Sequence, residues 1–310
     1  MVQVESRAQS SRTTSDPVVR LDHVTKIYRG GGGVRDLTLD VHAGEVLGFL
    51  GPNGAGKTTT IRLLLDLIRP STGTITIFGL DSRRDSVAIR RRVGYLPGDL
   101  ALYEQLSARE VLSHFAHLRG GPPWATIRSL ADLLELDLER PIRSLSRGTR
   151  QKVGIVAALM GDPELLVLDE PTSGLDPLVQ RQVHEMLRAS ADAGGSVFLS
   201  SHILSEVAQV ADRVGLIRDG QLVAVERVVD LQQHAAHLID ARLRSAAQRE
   251  AYASLPGVAA CTVSGNDLHL EVTGDMRPVI AALAASDLDD LSVREPSLEE
   301  VFLSFYDHAD

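Results

Sequence analysis

The sequence holds a single cysteine, Cys261, among 310 residues. That excludes an intrachain disulfide framework and a cysteine-rich zinc site, and it fits a reducing compartment. Cys261 reads as a small buried apolar residue. Lysine is almost as scarce, for of 32 basic residues only Lys26, Lys57 and Lys152 are lysines. Each of them invites a reason, because a compact ammonium is not interchangeable with the planar fork of arginine. Long apolar runs are missing too: Val153 to Met160 is the longest of interest, against the ~18 residues a membrane helix needs. The chain is not expected to span a bilayer. Residues 1–16 are polar and Ser/Thr-rich with no apolar core, which argues against a secretory signal and for a disordered tail. An excess of positive charge is also absent, since 41 acidic residues give a net charge of −9. A dedicated binder of nucleic-acid phosphates is therefore disfavoured, and Arg83-Arg84 and Arg90-Arg91-Arg92 read as a solvated helix face. With 44% apolar and 24% charged residues the composition is that of a soluble globular protein. Its length suits one large domain plus a smaller one.

Lys57 supplies its own reason. Residues 45–50, EVLGFL, read as a buried strand, GPNGAGKTT follows at 51–59, and an apolar-periodic helix is expected over Thr59 to Ile68. Strand, glycine loop and helix are the context that the pattern G-x-x-x-x-G-K-[ST] requires. Gly51, Gly54 and Gly56 let the backbone curl so that successive amide groups face phosphate oxygens, and the helix adds its positive end. Lys57 brings a movable charge to the terminal phosphates, and Thr58 offers a hydroxyl to Mg²⁺. The pattern predicts a nucleoside triphosphate site.

A phosphate loop alone does not separate kinases, GTPases and transport ATPases. Downstream, LLVLDEP at 165–171 places two acids at the C-terminal edge of a buried strand, where α/β sheets put ligands. Asp169 is placed to hold Mg²⁺ and Glu170 to orient or deprotonate the attacking water. Between the two elements, LSRGTRQKV at 145–153 sets Ser146 and Gly148 before an apolar helix, Gln151 to Met160. That is a second phosphate-binding helix end.

In this order the elements resemble the ATP-binding cassette of ABC transporters: Walker A at 51–58, the signature at 145–149, Walker B at 165–169, SGLDP at 173–177 and SSH at 200–202. The resemblance covers residues 17–225. It implies an α/β P-loop NTPase cassette, a mixed sheet core with an inserted helical subdomain at 98–150. ATP and Mg²⁺ are the implied cofactors. Gly51, Asn53, Gly54, Ala55, Gly56, Lys57, Thr58 and Thr59 would wrap the phosphates, and Thr58 and Asp169 would hold the metal. Glu170, His202 and Lys57 would form the catalytic set, His202 matching the histidine that contacts the γ-phosphate. Tyr28, in VTKIYRG, matches the aromatic that stacks on adenine, while the quartet Gly30 to Gly33 reads as a flexible turn. In the family two cassettes close head to tail, so that Ser146 and Gly148 of one chain touch the ATP held by Lys57 of the other. Asp176 matches an acid that communicates across that interface. With one cassette and no internal repeat, the chain is expected to work as a homodimer, or as a heterodimer with a second cassette.

Two positions depart from the family pattern. Gly98 stands where the family usually has a glutamine that touches Mg²⁺, followed by Asp99. The signature carries Arg147 for the usual glycine and Thr149 for the usual glutamine, a variant similar to ABC-2-type exporter cassettes. Residues 99–144 carry helical patterns, LSAREVLSHFAHLRG and IRSLADLLELDL around a break at Pro122 and Pro123. In the family the surface of this subdomain docks on a membrane permease, and Tyr103 and Leu106 are candidates for it or for the core.

After VGLIRDGQLVAV the pattern changes. Strands are expected at 237–243, 258–263, 268–272 and 288–294, and helices at 245–254 and 276–285, which makes residues 226–310 a small α+β, ferredoxin-like domain. The ending REPSLEEVFLSFYDH, with Ser297 and Glu300 as a capping box, resembles the tails of ABC-2 drug exporters of the daunorubicin-resistance type. The expected function is the cytoplasmic ATPase subunit of an ABC-2-type exporter, peripheral on the inner face of the cell membrane through a separately encoded permease. A soluble ABC ATPase acting on ribosomes or DNA is the rival reading. Such proteins usually carry two cassettes or a long coiled coil, and neither is found in this sequence.

Overall fold

A computed structural model of the chain describes residues 16–233, 237–245 and 248–294. The expectations for the first fifteen residues of the tail and for the segment from Glu295 on lie outside the described residues. By internal packing the described residues form two compact units, one up to His202 with Val207–Val225, the other Ile203–Glu206 with the residues from Glu226 on.

The first unit opens with β1 (Val19–Ile27), β2 (Gly33–Val41), β3 (Val46–Leu50), α1 (Lys57–Leu64), β4 (Thr72–Ile77), β5 (Leu80–Asp81), α2 (Ser86–Arg92) and β6 (Val93–Leu96). It continues through α3 (Ala108–Leu118), α4 (Trp124–Leu133), α5 (Arg147–Leu159), β7 (Leu165–Asp169), α6 (Pro177–Asp192), β8 (Ser196–Ser201), β9 (Arg213–Arg218) and β10 (Gln221–Arg227), whose last two residues count with the second unit, as does most of the short α7 (Leu204–Val207) between β8 and β9. Two sheets result. An antiparallel one runs β2-β1-β4-β5, and a six-stranded one runs β10-β9-β3-β8-β7-β6 with parallel pairing from β9 through to β6.

Strands β3, β7 and β8 are buried at every position, as strands of a covered parallel sheet are, although β8 carries three serines and β7 ends in Asp169. Their order has a chemical consequence: β8 lies between β3 and β7, so the segments after all three strands open at one sheet edge. Those segments are the glycine loop, the acid pair and SSH.

Helix boundaries moved from their predicted places. The glycine-loop helix starts at Lys57 and ends at Leu64, four residues before Ile68, where Asp66 takes a left-handed backbone (φ 50°). Helix α4 stops at Leu133 although the apolar pattern runs on to Leu138. The helix closes on a left-handed Glu135 (φ 50°), with the N–H of Glu135 donating to the Asp132 carbonyl at 3.1 Å and that of Leu136 to the Ala131 carbonyl at 2.9 Å, so Leu134, Leu136 and Leu138 are buried from beyond the helix rather than along it. The signature helix α5 begins at Arg147, earlier than Gln151, because Ser146 caps it with its side chain. Helices α3 and α4 pack on α5.

The second unit contains α8 (Val228–Gln233), β11 (His237–Leu243), α9 (Arg249–Ala253), β12 (Val258–Ser264), β13 (Asp267–Val272), α10 (Arg277–Ala284) and β14 (Leu288–Arg294). Its sheet runs β12-β13-β11-β14 with all neighbours antiparallel. Alternate residues face a core of Ile239, Leu243, Leu268, Leu270, Val272 and Leu283. Cys261 is buried in that core and unpaired. Helix α9 is shorter than the predicted 245–254.

Candidate nucleotide-binding site

The glycine loop presents backbone rather than side chains. Gly56 caps α1 at φ 115° with no side chain on the first-turn amides, which leaves these donors free to face an anion. Gly51 allows a close approach: a Cβ there would stand 2.2 Å from the Ile217 carbonyl oxygen. A cavity of about 160 Å³ opens on the loop, lined by Asn53, Gly54, Gly56, Lys57, Thr58, Thr59 and Glu170. Gly51 and Ala55 are not among its lining residues; Ala55 packs its methyl into the core and engages the turn at Gly220 through its carbonyl. Of the expected phosphate wrap, those two do not face the cavity.

Lys57 is only 6% exposed. Its Nζ donates to the carbonyls of Gly51 at 2.7 Å and Pro52 at 3.3 Å and lies 3.6 Å from Glu170 Oε1. The same Oε1 is 3.2 Å from Nδ1 of His202. Thr58 donates through Oγ1 to Asp169 Oδ2 at 2.8 Å. Side chains from β7, β8 and their following loops thus meet those of α1 at the sheet edge.

What holds this group leaves no local mark in the sequence. Glu170 has a left-handed backbone, φ 50°, a conformation that costs a non-glycine residue about 1 kcal/mol or more. Its N–H donates to the Ser200 carbonyl at 3.2 Å and lies 3.1 Å from Ser200 Oγ. Its carbonyl accepts from Nε2 of the buried Gln151 at 3.2 Å, and the Pro171 carbonyl accepts from the same nitrogen at 3.1 Å. Gln151 lies on the signature helix, so that helix is tied to the backbone of the acid pair. The amide is 19 positions from Glu170, a separation no local pattern reveals.

The remaining expected residues lie elsewhere. Tyr28 is 40% exposed, on a turn where its N–H donates to Gly32 and its carbonyl accepts from Gly31. That turn reaches the phosphate loop, since the Gly33 carbonyl would stand 3.0 Å from a Cβ on Gly56. Ser146 accepts from Thr149 N–H at 3.1 Å, and Asp176 caps α6 by accepting from Leu178 and Val179. Gly148 admits the SGLDP loop, for a Cβ there would lie 2.7 Å from the Gly174 carbonyl oxygen. Arg147 spans the same contact and donates to Ser173 Oγ at 3.3 Å. Among the described contacts none brings Ser146, Gly148 or Asp176 to the cavity. At the other departure, Gly98 sets bare backbone against the acid pair, with a Cβ there placed 3.0 Å from Asp169 Oδ2. Asp99 is exposed.

A phosphate loop between strand and helix, with an acid pair and a histidine at the neighbouring strand ends, is the equipment of a P-loop ATPase. Residues 34–173 match the ABC transporter family profile. The chain is 35% identical to the daunorubicin resistance ATP-binding protein DrrA3 of Streptomyces coeruleorubidus, over 93% of this chain and 96% of that protein. It is 39% identical to the bacitracin transport ATP-binding protein BcrA of Bacillus licheniformis, over 66% and 68% of the two chains. A solved ATP-binding subunit of an ABC transporter superposes with a TM-score of 0.63 at 31% identity, covering 70% of this chain and 92% of that one. The chain belongs to the ABC transporter family, and it binds and hydrolyses ATP.

Proposed function

We propose that the chain is the ATP-hydrolysing subunit of an ABC-2-type exporter, in which two cassettes close around two ATP molecules and drive a separately encoded permease. The observation that carries this reading is the meeting of Lys57, Thr58, Asp169, Glu170 and His202 at one sheet edge within hydrogen-bonding or ion-pair reach. The loop amides and Lys57 hold the phosphates. Glu170, beside Lys57 and His202, takes the proton of the attacking water, and His202 reads the γ-phosphate. Tyr28 offers an exposed ring for adenine.

A hydroxyl and a carboxylate 2.8 Å apart form a hard-oxygen donor set that suits Mg²⁺, which usually keeps several waters and takes one or two carboxylates plus phosphate oxygens. Thr58 and Asp169 would hold it. Held by these two residues, Mg²⁺ would supply neutralisation of the charge that develops on the phosphates.

Ser146 and Gly148 of one chain complete the site on the other, with Asp176 at the joint. This is either a homodimer or a pairing with a second cassette. No described helix is long and apolar enough to cross a membrane. Attachment to the inner face of the cell membrane is assigned to the permease, docked on the helical subdomain where Tyr103 is 58% exposed. The strand order of residues 226–294 supports a ferredoxin-like reading of the C-terminal domain, with a role in assembly or regulation.

The decisive experiment is a pull-down from detergent-solubilised native membranes with Glu170→Gln and ATP, which is expected to hold the dimer closed. Recovery of a protein with several spanning helices is the expected result. Recovery of ribosomes or DNA-repair proteins without such a partner would overturn the transport reading.

A further inference from the structure

Ser200 is fully buried and lies on β8, the strand between the phosphate-loop strand and the acid strand. Its register partners are Phe49 on β3 and Asp169 on β7. Side-by-side partners in a parallel sheet point to the same face, so the sheet delivers this hydroxyl to the carboxylate. Ser200 Oγ donates to Asp169 Oδ1 at 2.5 Å and accepts from Glu170 N–H at 3.1 Å. The other carboxylate oxygen, Oδ2, accepts from Thr58. Two hydroxyls on opposite oxygens fix the rotation of the Asp169 carboxylate. Because a buried hydroxyl has no water to turn to, its bond to the charged acid is both obligatory and strong. Gly98 sharpens the demand, since it sets bare backbone against Oδ2 and brings no side chain to orient the acid.

We propose that Ser200 is a positioning residue of the ATPase. It turns Asp169 so that Oδ2 faces Thr58 and the metal, and it helps hold Glu170 in its left-handed backbone without touching nucleotide itself. The inference rests on the roles given above to Asp169 and Glu170.

The test is equilibrium binding of a fluorescent ATP analogue to the full chain, with Mg²⁺ and with EDTA, for wild type, Ser200→Ala, Ser200→Thr and Asp169→Asn. Ser200→Ala is expected to weaken Mg²⁺-dependent binding about tenfold, the usual scale for a residue that orients a metal ligand. The EDTA value should stay within about twofold, and Ser200→Thr, which keeps the hydroxyl, should recover most of the loss. An equal loss with Mg²⁺ and with EDTA would mark Ser200 as merely structural and overturn the proposal, as would wild-type binding by Ser200→Ala. If Ser200→Ala does not fold, Ser200→Cys replaces it, keeping the volume with a weak donor, and wild-type Mg²⁺ dependence in that variant overturns the proposal. A Mg²⁺ gain that survives Asp169→Asn would instead defeat the metal assignment on which the inference stands.

Discussion

The buried polar side chains of the described residues, from Glu45 to Ser201, all lie in the cassette: Lys57, Gln151, Asp169, His184 and Ser200 are among them. The C-terminal unit buries aliphatic side chains, with Tyr252 hydrogen-bonded to Ser286 as its partial exception. Its charges sit on the exposed face of the sheet, where Arg242 meets Asp267 and His269 meets Asp240. Backbone strain divides the same way. Left-handed non-glycine residues, Glu170 among them, occur up to Asp219, whereas in the described C-terminal residues only Gly257, Gly265 and Gly274 have positive φ. Buried polarity and strained backbone both oppose folding, and they persist where the surroundings over-determine them. One unit therefore carries the costs of chemistry and the other has the economy of a packed framework.

Four measurements probe this division of labour between the two units. Glu170→Gln is expected to lower ATP turnover about a hundredfold or more while equilibrium ATP binding persists, because the proton acceptor is lost and the phosphate cradle is not. Retained turnover would remove the main reason for calling the cassette edge the site of chemistry. In the other unit, Leu270→Ala removes a side chain that is 2% exposed, and a loss of about 2–5 kcal/mol in the stability of that unit is expected. Calorimetry with an ATPase assay checks this, and an equal fall in ATPase rate would deny the separation of framework from chemistry. Burial pushes the Cys261 thiol up from its ordinary value. Its reaction with a disulfide reagent near pH 8 should be about tenfold slower in the native chain than in the denatured one. Reaction at equal rates would show that the C-terminal core is open. The smallest effect is expected from Arg242→Ala, since the pair with Asp267 is solvated on both sides. Its melting temperature should shift by no more than about 1 °C.

Much of the cassette was legible because its chemistry is local in sequence. GPNGAGKTT needs its glycines, lysine and hydroxyl within nine residues, and LLVLDEP needs its acids next to an apolar strand. The helix ends were less legible. At Leu134 to Leu138 the helix is closed by a turn through the left-handed Glu135, and a leucine-rich stretch without glycine gives no sign of it. Ser107 and Glu110 form a full capping box at α3 that the apolar pattern alone did not point to.

A P-loop ATPase of the cassette type is written into the order of the residues, because phosphate binding by backbone and a strand-end acid pair leaves fixed, short-range signatures. How the acids are held depends on the assembled sheet. Ser200 and Asp169 are 31 positions apart and Gln151 and Glu170 are 19 apart, and the parallel order of β3, β8 and β7 makes the first pair neighbours. Hydrogen-bond partners chosen by strand order leave no period and no spacing in the chain, so the groups that aim the chemistry became visible only once the sheet was assembled.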